Sequence, residues 1–545
     1  MKSILFCFLV AAKFAIAALP GTGVFNVKPT GTVGGVNGAM FNPARGGTDY
    51  SLQDSAQLHL TDFTTSGAGS TTLATATGGF TPNMVGNGIH LVSGTNFTAG
   101  WYEITTYTDG THVVLDRTPT AGGAGSLGNG YIGGAFNIGT VGMDDNFFEA
   151  VSAGTTCYIK SGTYTPAEVI GVATTSPAFN PARIIGYTAV QGDDCDGTAR
   201  PKFLLAANSI LLTSWVKNMQ FETTAALGVQ IRGVIENVRV INQSTSADRI
   251  GFNTSSSTML IDCEGVSYRG IAANLSGSDS TAYHSVFHSS KNGLQVGVGS
   301  NSGAVIECVL HSSVTNQLLI GAAQTARYTI QGNTIFGGFS PNATGMNLIT
   351  GSTGITFVKN IIYGCSTGVI NVDVQTTNYD DYNNYFNNTA DVSSAAVWQK
   401  GPHDTAINPV FTGVGQLTGA TATTTAGNHL VQSGADFSSV VPGRDFLVII
   451  SGSGPAVGGY GILTVDSATQ ITTDVTLTAN ATADKVWRIT NGHNFNVGYD
   501  MKGLAGHIFK NGDINSRTRD YADQGAAQRF ELSSDGVGGD SVFSK

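Results

Sequence analysis

Ile261-Asp262-Cys263-Glu264, Tyr283-His284-Ser285-Val286 and Ile306-Glu307-Cys308-Val309 are the stretches whose reading decides the fold. Each places a β-branched or aromatic residue first, then a polar residue, a small one and the start of a further run. The pattern extends outward to Ile235-Glu236-Asn237-Val238, Ile330-Gln331-Gly332-Asn333 and Val358-Lys359-Asn360-Ile361, with offsets between second positions of 26, 22, 23, 24 and 28 residues. Short extended runs returning at this period, with no 3.6-residue periodicity, predict a right-handed parallel β-solenoid in which each coil pairs with the coils before and after it. In this register the second positions (Glu236, Asp262, His284, Glu307, Gln331, Lys359) form an outward polar column. The third positions (Asn237, Cys263, Ser285, Cys308, Gly332, Asn360) form an inner ladder of small residues.

Composition agrees. Of 545 residues only 12% are charged, 41% are hydrophobic and 72 are glycine, which excludes coiled coils, helical bundles and disordered chains. The formal charge is −10 with no basic stripe, so a nucleic-acid partner is not expected. Met1-Lys2-Ser3, the apolar run from Ile4 to Ala12 and Ala15-Ile16-Ala17 read as a signal peptide over residues 1–17, which implies export. No segment has the ~20 apolar residues needed to cross a bilayer. Five of the six cysteines follow the leader, an odd number without a CxxC, so neither a disulfide framework nor a zinc ribbon is expected.

Four further stretches are Gly154 to Thr165 (GTTCYIKSGTYT), Pro181 to Pro201 (PARIIGYTAVQGDDCDGTARP), Tyr382 to Phe411 (YNNYFNNT…GPHDTAINPVF) and Tyr521 to Gln528 (YADQGAAQ). With these the chain resembles the right-handed parallel β-helix proteins of the pectin-lyase-like class. The resemblance implies the fold and a polysaccharide partner but spans lyases, hydrolases, epimerases, phage tailspikes and adhesins. The GHG and RIK strings of polygalacturonases are absent, and Asp262 is not followed by the His of a pectate-lyase strand. No family catalytic residue carries over.

A second repeat lies outside the solenoid. Phe80 and Gly86 match Phe437 and Gly443, Tyr102-Glu103-Ile104 matches Tyr460-Gly461-Ile462, and Asp116 matches Asp474. These coincident spacings predict two copies of one small antiparallel β module. The resulting division is an N-terminal segment (18–46), a first module (47–135), the β-helix (136–411), a second module (412–490) and a closing segment with tail (491–545). The modules are expected to cap the solenoid ends, where strand edges are unpaired. Copies meeting head to tail into an oligomer or filament are the alternative.

Asp262, Glu264, His284 and Glu307 are the candidate catalytic residues. Carboxylates and an imidazole within one or two coil spacings can share protons and serve a glycosidic cleavage or the abstraction of a uronate C5 proton. Their alternative role is a solvated polar column. Trp101, Tyr379, Tyr382 and Tyr385 are candidate substrate-binding residues, since aromatic faces among amides suit sugar rings. Ordinary core packing is the competing account. His288 and His311 are expected to stack at a turn. Asp193, Asp194 and Asp196 before Gly197 match half of a calcium loop that lacks its Glu, and no other cofactor motif is present. The expected function is an exported or particle-surface protein that binds polysaccharide, with lyase or hydrolase cleavage left open. The alternative is a non-enzymatic tailspike-like or fibre-forming protein.

Overall fold

The computed structural model describes residues 23–491, apart from 31–36, 172–180, 322–326, 372–377 and shorter stretches of up to four residues. The expected leader and the closing element at 521–528 lie outside the described residues, as do Gly443 and Asp474. The chain divides into two compact units, Met1–Phe221 and Glu222–Lys545.

In the second unit three parallel sheets wind around one apolar interior. The first sheet runs from Val234–Glu236 to Tyr379–Asp381, the second from Arg239–Asn242 to Asn384–Phe386, and the third from Val229–Arg232 to Ala390–Val392. Every strand pairs with its counterpart one coil away, and this makes the structure a parallel β-helix. Because side chains alternate between faces, like positions stack. Ile235, Leu260, Ala282, Val305, Ile330 and Phe357 form one fully buried inner column. Phe252, Ala273, Leu294, Leu318, Met346 and Val369 form another. Each such Leu, Ile or Phe contributes about 1.5–3 kcal/mol of burial. A Cβ on Gly251 would sit 2.4 Å from the carbonyl oxygen of Ala272, and one on Gly345 would sit 2.4 Å from that of Gly368. Glycine at these third-sheet positions lets adjacent coils close to pairing distance.

Between the first and second sheets the chain turns through a single residue of positive φ. Asn237, Asp262, His284, Glu307, Gly332, Lys359 and Tyr382 occupy this turn column. The next residue of each coil points inward, giving the buried ladder Cys263, Ser285, Cys308, Asn333, Asn360 and Asn383. The expected register therefore holds in four segments and is one residue off in two. Glu236 pairs with Ile261 and Gln331 with Ile306, so Asn237 and Gly332 are turn residues and not inner ones. In the first of these the inner residue is Val238, and in the second it is the polar Asn333. Asn333 donates its Nδ2 to Asn360 Oδ1 at 2.9 Å, and Asn360 donates to Asn383 Oδ1 at 3.0 Å. Because Asn333 is both buried and polar, it does not stand out beside Gly332 as the inner residue in the sequence.

The first unit winds in the same way through Thr156–Lys160, Arg183–Tyr187 and Trp215–Lys217. A short helix, Asp144–Ala150, lays Phe147 edge-on against Phe25 with ring centroids 5.2 Å apart. The first module is a six-stranded antiparallel half-barrel between Leu58 and Ile132, and the second is a closed six-stranded barrel between Gly415 and Asn491. Numbered within each module, both follow the strand order 1-6-3-4-5-2. Tyr102 and Tyr460 occupy matching places, paired with Ile89 and Leu447.

The expected capping role needs correction for the second copy. Its barrel packs along the side of the coils, over the turns that leave the second sheet. Gly459 N donates to Tyr268 O, Arg269 lies 4.6 Å above the Tyr460 ring, and Arg488 reaches Ser312 and Gly337. The last coil is closed by the segment around Trp398, whose ring meets Phe357 edge-on. A large aromatic seals the apolar interior better than the polar rim of a barrel. Among the described residues no helix is long and apolar enough to cross a membrane.

Candidate functional site

Three of the four candidate catalytic residues come together. Asp262, His284 and Glu307 occupy the turn column on consecutive coils, with φ of 52°, 49° and 52°. Each backbone N–H donates to the carbonyl of the strand end on the following coil, which fixes the spacing. His284 Nε2 hydrogen-bonds to Glu307 Oε2, and its Nδ1 lies 3.7 Å from Asp262 Oδ1. The imidazole is thus held between two carboxylates, and Tyr283 stacks on it at 4.1 Å. The three side chains are 16–19% exposed, so a ligand can reach them from solvent. A left-handed non-glycine residue costs roughly 1–2 kcal/mol, and in this turn the chain carries that cost at chemically active residues.

Glu264 does not join them. Cys263 turns inward, so Glu264 starts the second sheet and faces a different direction. There it hydrogen-bonds to His288 Nε2 at 3.0 Å and forms an ion pair with Arg239, whose Nε lies 2.9 Å from Oε2. His288 and His311 stack at 4.8 Å as expected, but on strands and fully buried, not in a solvated turn. Among the described residues no group of three or more His, Cys, Asp or Glu is placed to hold a metal ion. Asp193 spends its carboxylate on the backbone N–H groups of Thr188, Ala189 and Val190, and Asp194 and Asp196 lie outside the described residues.

Two of the four aromatic candidates are core. Trp101 is 1% exposed, donates Nε1 to Asn37 O and stacks on His90 at 4.0 Å. Tyr385 is buried and donates its hydroxyl to Asp380 at 2.6 Å. Tyr379 is 52% exposed, and Tyr382 belongs to the turn column, three coils beyond Glu307.

Around them the structure places residues that the sequence reading missed. Asp381 accepts His403 N and Nδ1 at 3.0 Å each, Tyr382 N at 2.9 Å and the Tyr379 hydroxyl at 3.1 Å. Burial alone would raise its carboxyl, but the bonds from His403, Tyr382 and Tyr379 outweigh burial and hold it below the usual range. Beneath lies a carboxyl pair. Asp380 takes hydrogen bonds from Tyr385, Trp398 and Asn383, and Asp404 takes them from the backbone of Asn383 and Gly401. Burial, and then the hydrogen bond and charge of Asp380, push Asp404 up to about 8. The available signal was Gly401-Pro402-His403-Asp404, a string whose acid and imidazole return to the last coil.

No protein-family model matches this chain, and no curated protein matches it. Solved structures similar to it include the pectate lyase Pel9A, at 12% identity over 49% of this chain and 76% of that one with a TM-score of 0.30. The A-module of the mannuronan C-5 epimerase AlgE4 from Azotobacter vinelandii is 11% identical over 49% of this chain and 95% of its own, with a TM-score of 0.27. The Gp54 tailspike of Acinetobacter baumannii bacteriophage AP22, solved in complex with a capsular saccharide, is 8% identical over 80% and 84%, with a TM-score of 0.22. The parallel β-helix itself stands on the strand pairing described above.

Proposed function

We propose that this protein is exported or carried on a particle surface, and that it binds an extended polysaccharide along the turn column and acts on it at Asp262, His284 and Glu307. The observation that carries this reading is the imidazole held between two carboxylates on three consecutive coils. Glu307 binds the Nε2 edge of His284, and Asp262 lies at the Nδ1 edge. The ring presents one nitrogen to each carboxylate, so protons can be exchanged within the set and with a substrate oxygen. With a carboxylate as base and the imidazole as proton carrier, the set serves removal of a proton next to a uronate carboxyl or protonation of a glycosidic oxygen. Glu307 orients the ring from its Nε2 edge, and Asp262 stands at the opposite, Nδ1 edge.

The test is incubation with a panel of acidic and neutral polysaccharides, following new reducing ends and the ultraviolet absorbance of an unsaturated uronate. Cleavage that disappears in His284→Ala and Asp262→Asn supports the reading, and the absorbance separates lyase from hydrolase. Glycan binding without cleavage removes the catalytic half of it. The second reading, a structural or adhesive fibre subunit, is favoured by the repeated module with its shared strand order. Self-association in sedimentation, combined with silence across the panel, would replace the first reading by this one.

A further inference from the structure

Proceeding from the polysaccharide reading above, we propose that Tyr379, Tyr382 and His403 form a distal sugar subsite on the last coil, taking a ring with an apolar C–H face and hydroxyl donors. The subsite is built on Asp381. Its side chain is 5% exposed, yet it holds three residues in place through four donors: the phenol of Tyr379, the backbone of Tyr382, and both the backbone and Nδ1 of His403.

Asp381 accepts from His403 Nδ1, and in the tautomer that this contact selects, Nε2 is an acceptor. Its side chain is 56% exposed, and its ring lies parallel to Tyr382 at 4.6 Å and 4°. Stacking fixes the ring plane, so that acceptor points in one direction at little entropic cost. Beside it Tyr379, more than half exposed, offers an aromatic face whose hydroxyl is already satisfied by Asp381. A flat apolar face next to an oriented acceptor matches a pyranose, which presents C–H groups on its faces and hydroxyls around its rim.

Place in the fold supplies the second argument. Tyr382 belongs to the same turn column as Glu307, three coils further on, or roughly 14 Å at the spacing of paired strands. Between them stand Gly332, which has no side chain, and Lys359. A glycan held at the triad and running along the axis therefore meets the platform only if it is several sugars long.

The experiment is calorimetric titration with oligosaccharides of graded length, prepared from a polysaccharide that the wild type binds. In the wild type, affinity should rise with length and then level off, once the chain spans both places. In the Tyr379→Ala/His403→Ala double variant the rise should vanish, leaving about a tenfold deficit for the longest oligomers. Tyr379→Phe, which keeps the ring, should retain most of the rise. An unchanged length dependence in the double variant, with unaltered circular dichroism and melting, would overturn the subsite while leaving the polysaccharide reading intact. Failure of the wild type to bind any glycan would overturn both.

Discussion

Arg488 Nη2 donates to the carbonyl oxygen of Ser312 at 2.8 Å, joining the barrel to a coil 176 residues earlier in the chain. The same guanidinium reaches the carbonyls of Ser313, Gly337 and Gly338, so one buried cation satisfies four backbone acceptors on two turns of the β-helix. Burial first of all depresses its pKa, to about 10, which leaves it charged at neutral pH. The barrel has a core of its own around Phe437, Tyr460, Trp487 and Ile489. Docking and barrel folding are therefore separable.

Arg488→Met is expected to release the barrel without unfolding it. Ser313 O and Gly338 O keep donors in Gln317 and Gln416, but Ser312 O and Gly337 O lose the Arg488 hydrogen bond, and a buried unsatisfied carbonyl costs about 1–3 kcal/mol unless water reaches it. Limited proteolysis should release a barrel fragment from the variant and leave the wild type intact. Equal resistance in both would mean that the contacts at Tyr268 and Arg269 hold the barrel unaided.

The amide ladder gives a graded prediction. Asn360→Ala strips acceptors from Asn333 N and Nδ2 and a donor from Ile330 O, and should lower unfolding stability by about 3 kcal/mol. Asn360→Ser should cost less. Ser285 fills the same column one residue wide of the Asn positions in chemistry, its Oγ accepting Cys263 N and donating to Tyr283 O. Urea denaturation of the three proteins tests the order, and an alanine variant as stable as the serine one would contradict it.

Cys263→Asp probes the same ladder nearer the triad. Cys263 is 1% exposed and its thiol faces the carbonyls of Ile235 and Ile261, so a carboxylate there is both buried and set against acceptors. The expected loss is several kcal/mol, about 3–5. A melting temperature close to wild type would mean that position 263 can turn outward, which would also displace Asp262.

Much of this was legible in the sequence, because period and alternation report backbone geometry directly. Asp262, His284 and Glu307 were placed on one column from spacing alone, and Phe80, Tyr102, Phe437 and Tyr460 marked a module whose two copies share a strand order. The failures have physical causes. Asn333 gives way to Gly332 in the sequence because its burial as an amide depends on Asn360 one coil away, a partner no single coil displays. Trp101 and Tyr385 carry polar atoms satisfied by Asn37 and Asp380, partners 64 and 5 residues away, and an aromatic residue looks the same in a core as on a platform until such partners are placed. Spacing alone groups Glu264 with the turn column, although the inward Cys263 separates them and Glu264 begins the next strand. Asp381 and His403 were invisible for the reason that makes them a site: they are 22 residues apart and meet only when the closing segment folds back.

The closure of the last coil should depend on pH. Asp380 is saturated by Tyr385, Trp398 and Asn383, so the proton that the pair retains sits on Asp404, whose pKa is about 8. The charged groups facing the pair are Asp381 with His403 above, and Lys400 over the Tyr385 ring. The unfolded carboxyl ionises near its ordinary value of 3.8. A folded pKa raised above the unfolded one means that the native state binds the proton more tightly. Its contribution is fully present below the unfolded value and is lost as pH rises through about 8. Melting of the wild type, followed by Trp398 fluorescence, should therefore shift to lower temperature as pH is raised from mildly acidic to about 8 and then level off. Asp404→Asn cannot ionise and keeps an acceptor for Asn383 N, so its melting should vary less with pH and cross the wild-type curve near the top of that range. Parallel curves for the two proteins would place the retained proton elsewhere than on Asp404.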